Sequence, residues 1–94
     1  MQTAARTFSV LADPTRLRIL HELTSGERTV GALARTIGIS PSATSHQLAK
    51  LRDLGLVRAR RDGVSIRYEL ANDHVTNFFR EALYHADHIV SGQQ

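Results

Sequence analysis

The fold of this chain depends on one stretch, SPSATSHQLAKLRDLGLV at residues 40–57. Ser40 is a favourable N-cap residue, and Pro41 occupies the first helical position, where its missing N–H costs no hydrogen bond. Gly55 is a typical helix stop. The stretch therefore predicts one exposed helix over residues 41–54, followed by the start of a strand.

The two sides of this predicted helix differ in composition. At 100° per residue, one side gathers Ala43, Thr44, Leu48, Leu51 and Leu54. The other side carries Ser42, Ser45, His46, Ala49, Lys50 and Asp53. Small hydroxyls, a histidine and a lysine allow close approach to a groove and hydrogen bonds to phosphates or base edges. A helix face that is simply solvated has a similar composition, so both interpretations stay open for this helix alone.

A second helix precedes it after a very short connection. Thr29 is a suitable N-cap for a helix over residues 30–37, and Gly38 is a typical stop. Two helices joined by residues 38–40 have the spacing of a helix-turn-helix, whose second helix enters the DNA major groove. We therefore expect a helix-turn-helix over residues 30–54, which favours the DNA interpretation.

A basic hairpin is predicted after the helix-turn-helix. Residues 56–61 and 64–70 alternate in polarity, and Asp62-Gly63 between them is a strong hairpin turn signal. Residues 56–70 would form a wing beside the helix, able to reach phosphates or a minor groove. Its candidate contacts are Arg60, Arg61 and Arg67. An edge hairpin kept soluble by its charges is the alternative.

Three further helices complete the prediction, a mainly α fold with a β-hairpin wing in the order α-α-α-α-β-β-α. They span about residues 3–11, residues 14–25 with Asp13 as N-cap, and residues 74–90, which Asn72 or Asp73 opens. The second has core candidates Leu17, Ile19, Leu20 and Leu23. It also carries His21, which we expect to be a partly buried structural histidine.

The last helix has a wide apolar stripe, which a chain of 94 residues cannot easily cover by itself. The stripe consists of Val75, Phe78, Phe79, Ala82, Leu83, Ala86 and Ile89. It suggests a homodimer formed through the first and last helices.

Composition limits the other classes of function. The length predicts a single domain over residues 1–94. The net charge is +3, but residues 40–67 hold six basic and two acidic side chains, a local charge of +4, whereas residues 72–94 carry −2. That distribution is expected for a polyanion partner. The chain has no cysteine, which excludes disulfides, thiolate metal sites and thiol catalysis. With no export signal or membrane span, we expect a cytoplasmic protein.

Three of the five histidines lie on the last helix. His85 and His88 are one turn apart and could chelate one metal ion. His74 is about 20° around the helix from His85 but about 16 Å along it, so one chain cannot bring all three together. An antiparallel pair of these helices across a two-fold axis could, and would make two such sites. A polar margin of histidines on an interface helix is the alternative.

Three segments together resemble the ArsR/SmtB family of winged-helix repressors: ADPTRLRIL at 12–20, SATSHQLAKLRDLGLV at 42–57 and RRDGVSIRYEL at 60–70. The resemblance covers nearly the whole chain. It implies a homodimer that binds operator DNA without inducer and, in most members, releases it when a metal binds. It assigns DNA contact to Ser42, Ser45 and His46, with Gln47 at the side of that face. The full set of candidate contacts on this helix is Ser40, Ser42, Ser45, His46, Gln47 and Lys50.

The resemblance also implies a metal site. The resemblance implies that many arsenic, cadmium or lead sensors carry cysteines at the positions of Thr29 and Gly31, so that class of inducer is excluded here. Zinc, cobalt and nickel sensors use the last helix, and His74, His85 and His88 match their spacing. The family's aspartate falls on Asn72, a poorer ligand, for which Asp73 or water could substitute. Three imidazoles favour Zn²⁺ first, then Co²⁺ or Ni²⁺.

Several alternatives remain at this stage. A winged-helix repressor that has lost metal sensing fits the same residues, as does a protein that binds DNA without sequence preference. A zinc hydrolase built on the three histidines is remote, since no general base or oxyanion site accompanies them. We expect neither enzymatic activity nor a small organic substrate.

Overall fold

A computed structural model of the protein describes residues 12–92, apart from the side chains of residues 83 and 85–92. The helices and strands have the following bounds: α1 Pro14–Leu23, β1 Arg28–Thr29, α2 Val30–Ile37, α3 Pro41–Asp53, β2 Val57–Asp62, β3 Ser65–Leu70 and α4 Asp73–Gly92. The mainly helical fold with a β-hairpin wing is confirmed. The helix predicted over 3–11 lies outside the described residues.

Helices α1 to α3 begin at the predicted capping residues. The Asp13 carboxylate accepts the backbone N–H of Thr15 at 2.8 Å, and the Thr29 hydroxyl accepts that of Ala32 at 3.2 Å. The Ser40 hydroxyl likewise accepts the N–H of Ala43 at 3.0 Å. Each cap satisfies a donor that the first helical turn leaves without a partner.

The turn between α2 and α3 depends on Gly38. Its φ is +84°, and its backbone N–H donates to the carbonyl of Ala34 at 2.8 Å. Ile39 also donates to that carbonyl and is half-buried against the core. The left-handed residue thus ends α2 and turns the chain so that Ser40 can open α3.

The sheet has one strand that the sequence pattern did not predict. Strand β3 lies in the middle, paired antiparallel with β2 and with the two-residue β1. In the hairpin, Asp62 pairs with Ser65 around a two-residue turn, and Val57 pairs with Leu70. The expected hairpin is therefore the larger part of a three-stranded sheet.

All four helices and both strands of the hairpin contribute to one core. Its buried apolar residues are Ile19, Leu20 and Leu23 of α1, Leu33 and Ile37 of α2, Leu48 and Leu51 of α3, Val57 and Leu70 of the hairpin, and Phe79 of α4. Two expectations were wrong: Leu17, a predicted core residue, is 36% exposed, and His21, expected to be partly buried, is exposed. Among the described residues, no helix combines the length and the apolar character that crossing a membrane requires.

We predict that Gly38→Ala lowers the free energy of unfolding by about 1 kcal/mol, measured by urea denaturation. A Cβ at this position would touch nothing within 4 Å, so the cost is the backbone strain of a non-glycine residue at positive φ.

Gly31→Ala is the matched control. This glycine lies in the first turn of α2, where a Cβ would make an ordinary 3.5 Å contact with Arg35. Alanine favours the helix there, so stability should stay the same or rise. Equal losses in the two variants would contradict the argument from the turn.

Candidate nucleic-acid interface

Helix α3 is fixed in rotation by its buried side. Leu48 and Leu51 are fully buried, and so is Thr44, whose hydroxyl donates to the carbonyl of Ser40 at 2.9 Å. The core therefore holds this helix through an apolar pair and a satisfied polar group. Because the buried side is fixed, the residues that face solvent are fixed as well.

The solvent side of α3 presents four of the predicted contact residues together. Ser42, Ser45, His46 and Lys50 are all exposed. Ser42 and Ser45 are small enough for the helix backbone to approach a groove closely, and His46 and Lys50 add donors on the same side. The exposed row has the composition and placement of a surface that enters a major groove.

Two other predicted contacts on α3 already have protein partners. The Ser40 hydroxyl serves as the N-cap and lies 3.4 Å from that of Ser42. Gln47 is half-buried, and its Oε1 accepts a hydrogen bond of 2.7 Å from Nε of Arg16 on α1. Gln47 thus joins α3 to α1 at the side of the exposed row.

The wing has one face of paired charges, which we call the ion-paired face. It consists of Glu27, Arg58, Arg60, Asp62, Arg67 and Glu69. The strand register explains it, since Arg58 lies opposite Glu69 and Arg60 opposite Arg67 on the same side of the hairpin. Three arginines and three carboxylates cancel in formal charge. The ion-paired face therefore agrees with the alternative interpretation of the wing, an edge hairpin kept soluble by its charges.

Arg60 and Arg67 are both engaged on the ion-paired face. Arg60 makes a two-pronged contact with the Glu27 carboxylate, with Nε 3.1 Å from Oε2. This hydrogen bond, together with the negative charge of Glu27, raises the pKa of Arg60 above its usual value. Nε of Arg67 lies 3.4 Å from Asp62 and 3.9 Å from Glu27. Because carboxylates already balance their charges, either arginine would attract a phosphate less strongly than an unpaired arginine.

Arg61 lies on the opposite face of the hairpin, at its tip. Strand alternation puts it on the side that carries the buried Val57, and it is exposed. Within residues 12–82 and 84, no carboxylate pairs with it. Of the three wing arginines predicted from the sequence, Arg61 is the one whose charge is uncompensated.

The predicted metal ligands are only partly described. His74 and Asp73 are exposed at the start of α4, and the Oδ1 of Asn72 accepts the backbone N–H of Val75 at 2.9 Å. Asn72 is therefore the N-cap of α4. The helical backbone continues through residues 85 and 88, but the side chains of His85 and His88 lie outside the described part. Within that part, no three histidine or carboxylate side chains come together as a metal site.

Two residues that bear on the interface were missed from the sequence. Glu27 pairs with Arg60 across 33 positions, and Arg16 binds Gln47 across 31. Neither belongs to a local motif, and both contacts depend on how α1 and β1 pack. The run of arginines from 58 to 67 signalled positive charge but not which of these side chains would be neutralised.

The comparisons with known proteins agree with this fold. The family model described as "Bacterial regulatory protein, arsR family" matches residues 13–59. Over 88 residues the chain is 48% identical to the HTH-type transcriptional regulator NmtR of Mycobacterium tuberculosis, covering 94% of this chain and 73% of that protein. It is 47% identical over 88 residues to the transcriptional repressor SmtB homolog of Synechocystis, covering 94% of this chain and 64% of that protein.

A solved structure resembles the whole described fold. The homodimeric winged helix-turn-helix DNA-binding domain from Mycobacterium bovis superimposes with a TM-score of 0.89 at 35% sequence identity. The match covers 97% of this chain and 84% of that one. The agreement extends beyond the helix-turn-helix to the wing and the last helix.

We predict that Glu27→Gln strengthens binding to a random-sequence DNA duplex and steepens its salt dependence. Releasing Arg60 adds a phosphate contact, and each such contact changes the slope of log K against log salt by about 0.9. Fluorescence anisotropy over a salt series measures both quantities.

Glu69→Gln is the control, because it removes the same charge but releases Arg58, which is not a predicted DNA contact. Identical effects of the two variants would show that only net charge matters and would remove Arg60 from the interface.

Proposed function

This chain belongs to the arsR family of bacterial regulatory proteins, and from that membership we propose that it is a dimeric transcriptional repressor that reads operator DNA with α3. The family consists of regulators of transcription rather than enzymes. The proposal rests on the exposed row of α3, which includes Ser42, Ser45 and His46. The opposite side of this helix is buried in the core. We expect the repressor to act in the cytoplasm.

Helix α4, the predicted last helix, supplies an apolar surface suited to dimerisation, whereas its expected partner, the first helix over residues 3–11, lies outside the described residues. Phe79 is buried in the protomer's own core, whereas Phe78 beside it is 53% exposed. The two rings pack edge to face with centroids 5.3 Å apart, so the buried ring of Phe79 supports the exposed ring of Phe78. Leu17 on α1 is also exposed. A two-fold axis along this surface would cover these side chains and hold two copies of α3 about one DNA turn apart.

We further propose that a divalent transition metal releases the repressor from DNA, with Zn²⁺ favoured over Co²⁺ and Ni²⁺. Its ligands would be His74 from one protomer and His85 and His88 from the other, on the paired copies of α4. His74 is exposed and therefore accessible to a metal. Three imidazoles fit a borderline cation, which would pin the two protomers in one relative orientation.

The fourth ligand is best supplied by Asp73 or by water. Asn72 directs its amide oxygen to the N–H of Val75 and serves as the helix cap. Asp73 is exposed in the same turn and carries the carboxylate that the amide lacks. Because metal and DNA would favour different orientations of the two protomers, each should weaken the binding of the other by the same factor.

A second candidate is a repressor, or a less specific DNA-binding protein, without metal sensing. The capping role of Asn72 favours it, since that residue has a sufficient structural function without a metal. Selection of duplexes from a randomised pool separates these functions. An enriched sequence supports a repressor, and equal affinity for selected and random duplexes at matched salt supports non-specific binding.

We predict that Zn²⁺ weakens binding of the wild-type protein to its selected duplex, and that His85→Ala abolishes this effect while leaving metal-free DNA binding intact. Anisotropy titrations with and without Zn²⁺ measure both. His21→Ala is the control, since His21 is an exposed histidine on α1 outside the proposed ligand set. A wild-type protein indifferent to Zn²⁺ would refute metal sensing but not DNA binding.

We predict that Asn72→Asp tightens Zn²⁺ binding without loss of stability, because aspartate caps a helix as well as asparagine does and adds a carboxylate. Asp73→Asn should weaken Zn²⁺ binding if Asp73 is the fourth ligand. Competition with a chromogenic chelator measures metal affinity, and thermal unfolding checks the cap. An unchanged affinity in both variants would leave water as the fourth ligand.

A further inference from the structure

We propose that Arg16, oriented by Gln47, binds a backbone phosphate of the DNA that α3 occupies. The inference rests on the proposed function, because it takes α3 to be the element in the groove. It adds a contact outside the helix-turn-helix and the wing. It also gives Gln47 a role different from reading a base.

The hydrogen bond between Arg16 and Gln47 determines how both side chains are oriented. A guanidinium can only donate, so Nε of Arg16 must face the amide oxygen of Gln47, at 2.7 Å. The amide NH2 of Gln47 is then turned away from Arg16. Arg16 keeps both terminal NH2 groups, for which the described residues offer no acceptor.

The positive charge of Arg16 is also uncompensated. No carboxylate forms an ion pair with it in the described part of the chain, and residues 1–11 contain neither Asp nor Glu. Asp13, its nearest acidic neighbour in sequence, uses Oδ1 to accept the backbone N–H groups of Thr15 and Arg16. A half-buried cation held by a neutral amide is available to an external anion.

Four other arginines have partners of a different kind, and the contrast with these four supports the assignment. Arg58, Arg60 and Arg67 each lie beside a carboxylate on the ion-paired face. Arg18 donates to the carbonyls of Thr36 and Ile37 at the end of α2. Arg16 instead contacts α3, and its partner there, Gln47, is uncharged. The fold thus leaves positive charge at the edge of the exposed row.

The position of Arg16 and Gln47 beside α3 indicates that the external anion is a backbone phosphate of DNA. Arg16 is bonded to Gln47, the residue that follows His46 on α3, and the backbone of a duplex flanks a helix that lies in its groove. The planar fork of a guanidinium matches two phosphate oxygens. With Gln47 holding Nε, the fork is ordered before DNA arrives, which reduces the entropy lost on binding.

The test compares Arg16→Gln with the wild type on two duplexes of roughly 30 base pairs, one of random sequence and one selected from a randomised pool. We expect binding to both to weaken by the same factor, roughly tenfold or more. The slope of log K against log salt should fall by about 2, because the dimer loses two phosphate contacts. Arg80→Gln removes the same charge at the other end of α1, where Arg80 donates to the carbonyl of Thr24, and should leave the slope nearly unchanged.

The other outcomes overturn the inference. An unchanged slope would mean that Arg16 makes no phosphate contact, and a loss confined to the selected duplex would mean that it acts through base reading. If Arg16→Gln fails to fold, Arg16→Lys keeps the charge without the fork: weaker binding to both duplexes at an unchanged slope supports the proposal, and wild-type affinity refutes it. A wild-type protein that binds neither duplex refutes the proposed function instead.

Discussion

Burial of one side of α3 is the constraint on which the interface depends. Leu48 and Leu51 are inserted into the core that α1, α2 and the hairpin build around them. A helix held by two fully buried leucines cannot rotate without exposing them, at a cost of roughly 1.5–3 kcal/mol each. The hydroxyls and the histidine on the opposite side therefore keep a fixed direction. Gly38 matters for the same reason, since it sets the angle at which α3 leaves α2.

The positive charge that the surface presents depends on which arginines are paired with carboxylates, not on the number of arginines. The stretch from 40 to 67 is rich in arginine, but the wing uses much of that charge to satisfy Glu27, Asp62 and Glu69. Exposed pairs of this kind contribute little to stability and are screened by salt. Their larger effect is on the electrostatic field, because each neutralised arginine attracts polyanions less. Within the part of the chain that the structure describes, no carboxylate pairs with Arg16 beside α3 or with Arg61 at the tip of the wing.

The sequence was sufficient for features that depend on neighbouring residues. Ser40, Thr29 and Asp13 act as caps through bonds that span two or three positions, so their patterns are visible in the chain itself. The two residues of β1 carry no such pattern, because only pairing with the distant β3 makes them a strand. The ion pair of Glu27 with Arg60 is hidden for the same reason. Ala43 shares a side of α3 with the buried leucines but is exposed, because helical periodicity gives an angle around the axis and not the width of the side that the core covers.

Helix α1 links the two ends of the molecule through polar contacts as well as through its core residues. At its carboxyl end, the carbonyl of Thr24 accepts a 2.7 Å hydrogen bond from Arg80 of α4. Near its start, Arg16 binds Gln47 of α3, and Arg18 binds carbonyls at the end of α2. A displacement of α4 relative to the core would stretch the bond at Thr24 unless the Arg80 side chain or α1 followed it, and a movement of α1 would strain the contacts of Arg16 and Arg18 with α3 and α2. The ten residues of α1 form a rigid path about 15 Å long between the helix suited to dimerisation and the helix suited to DNA.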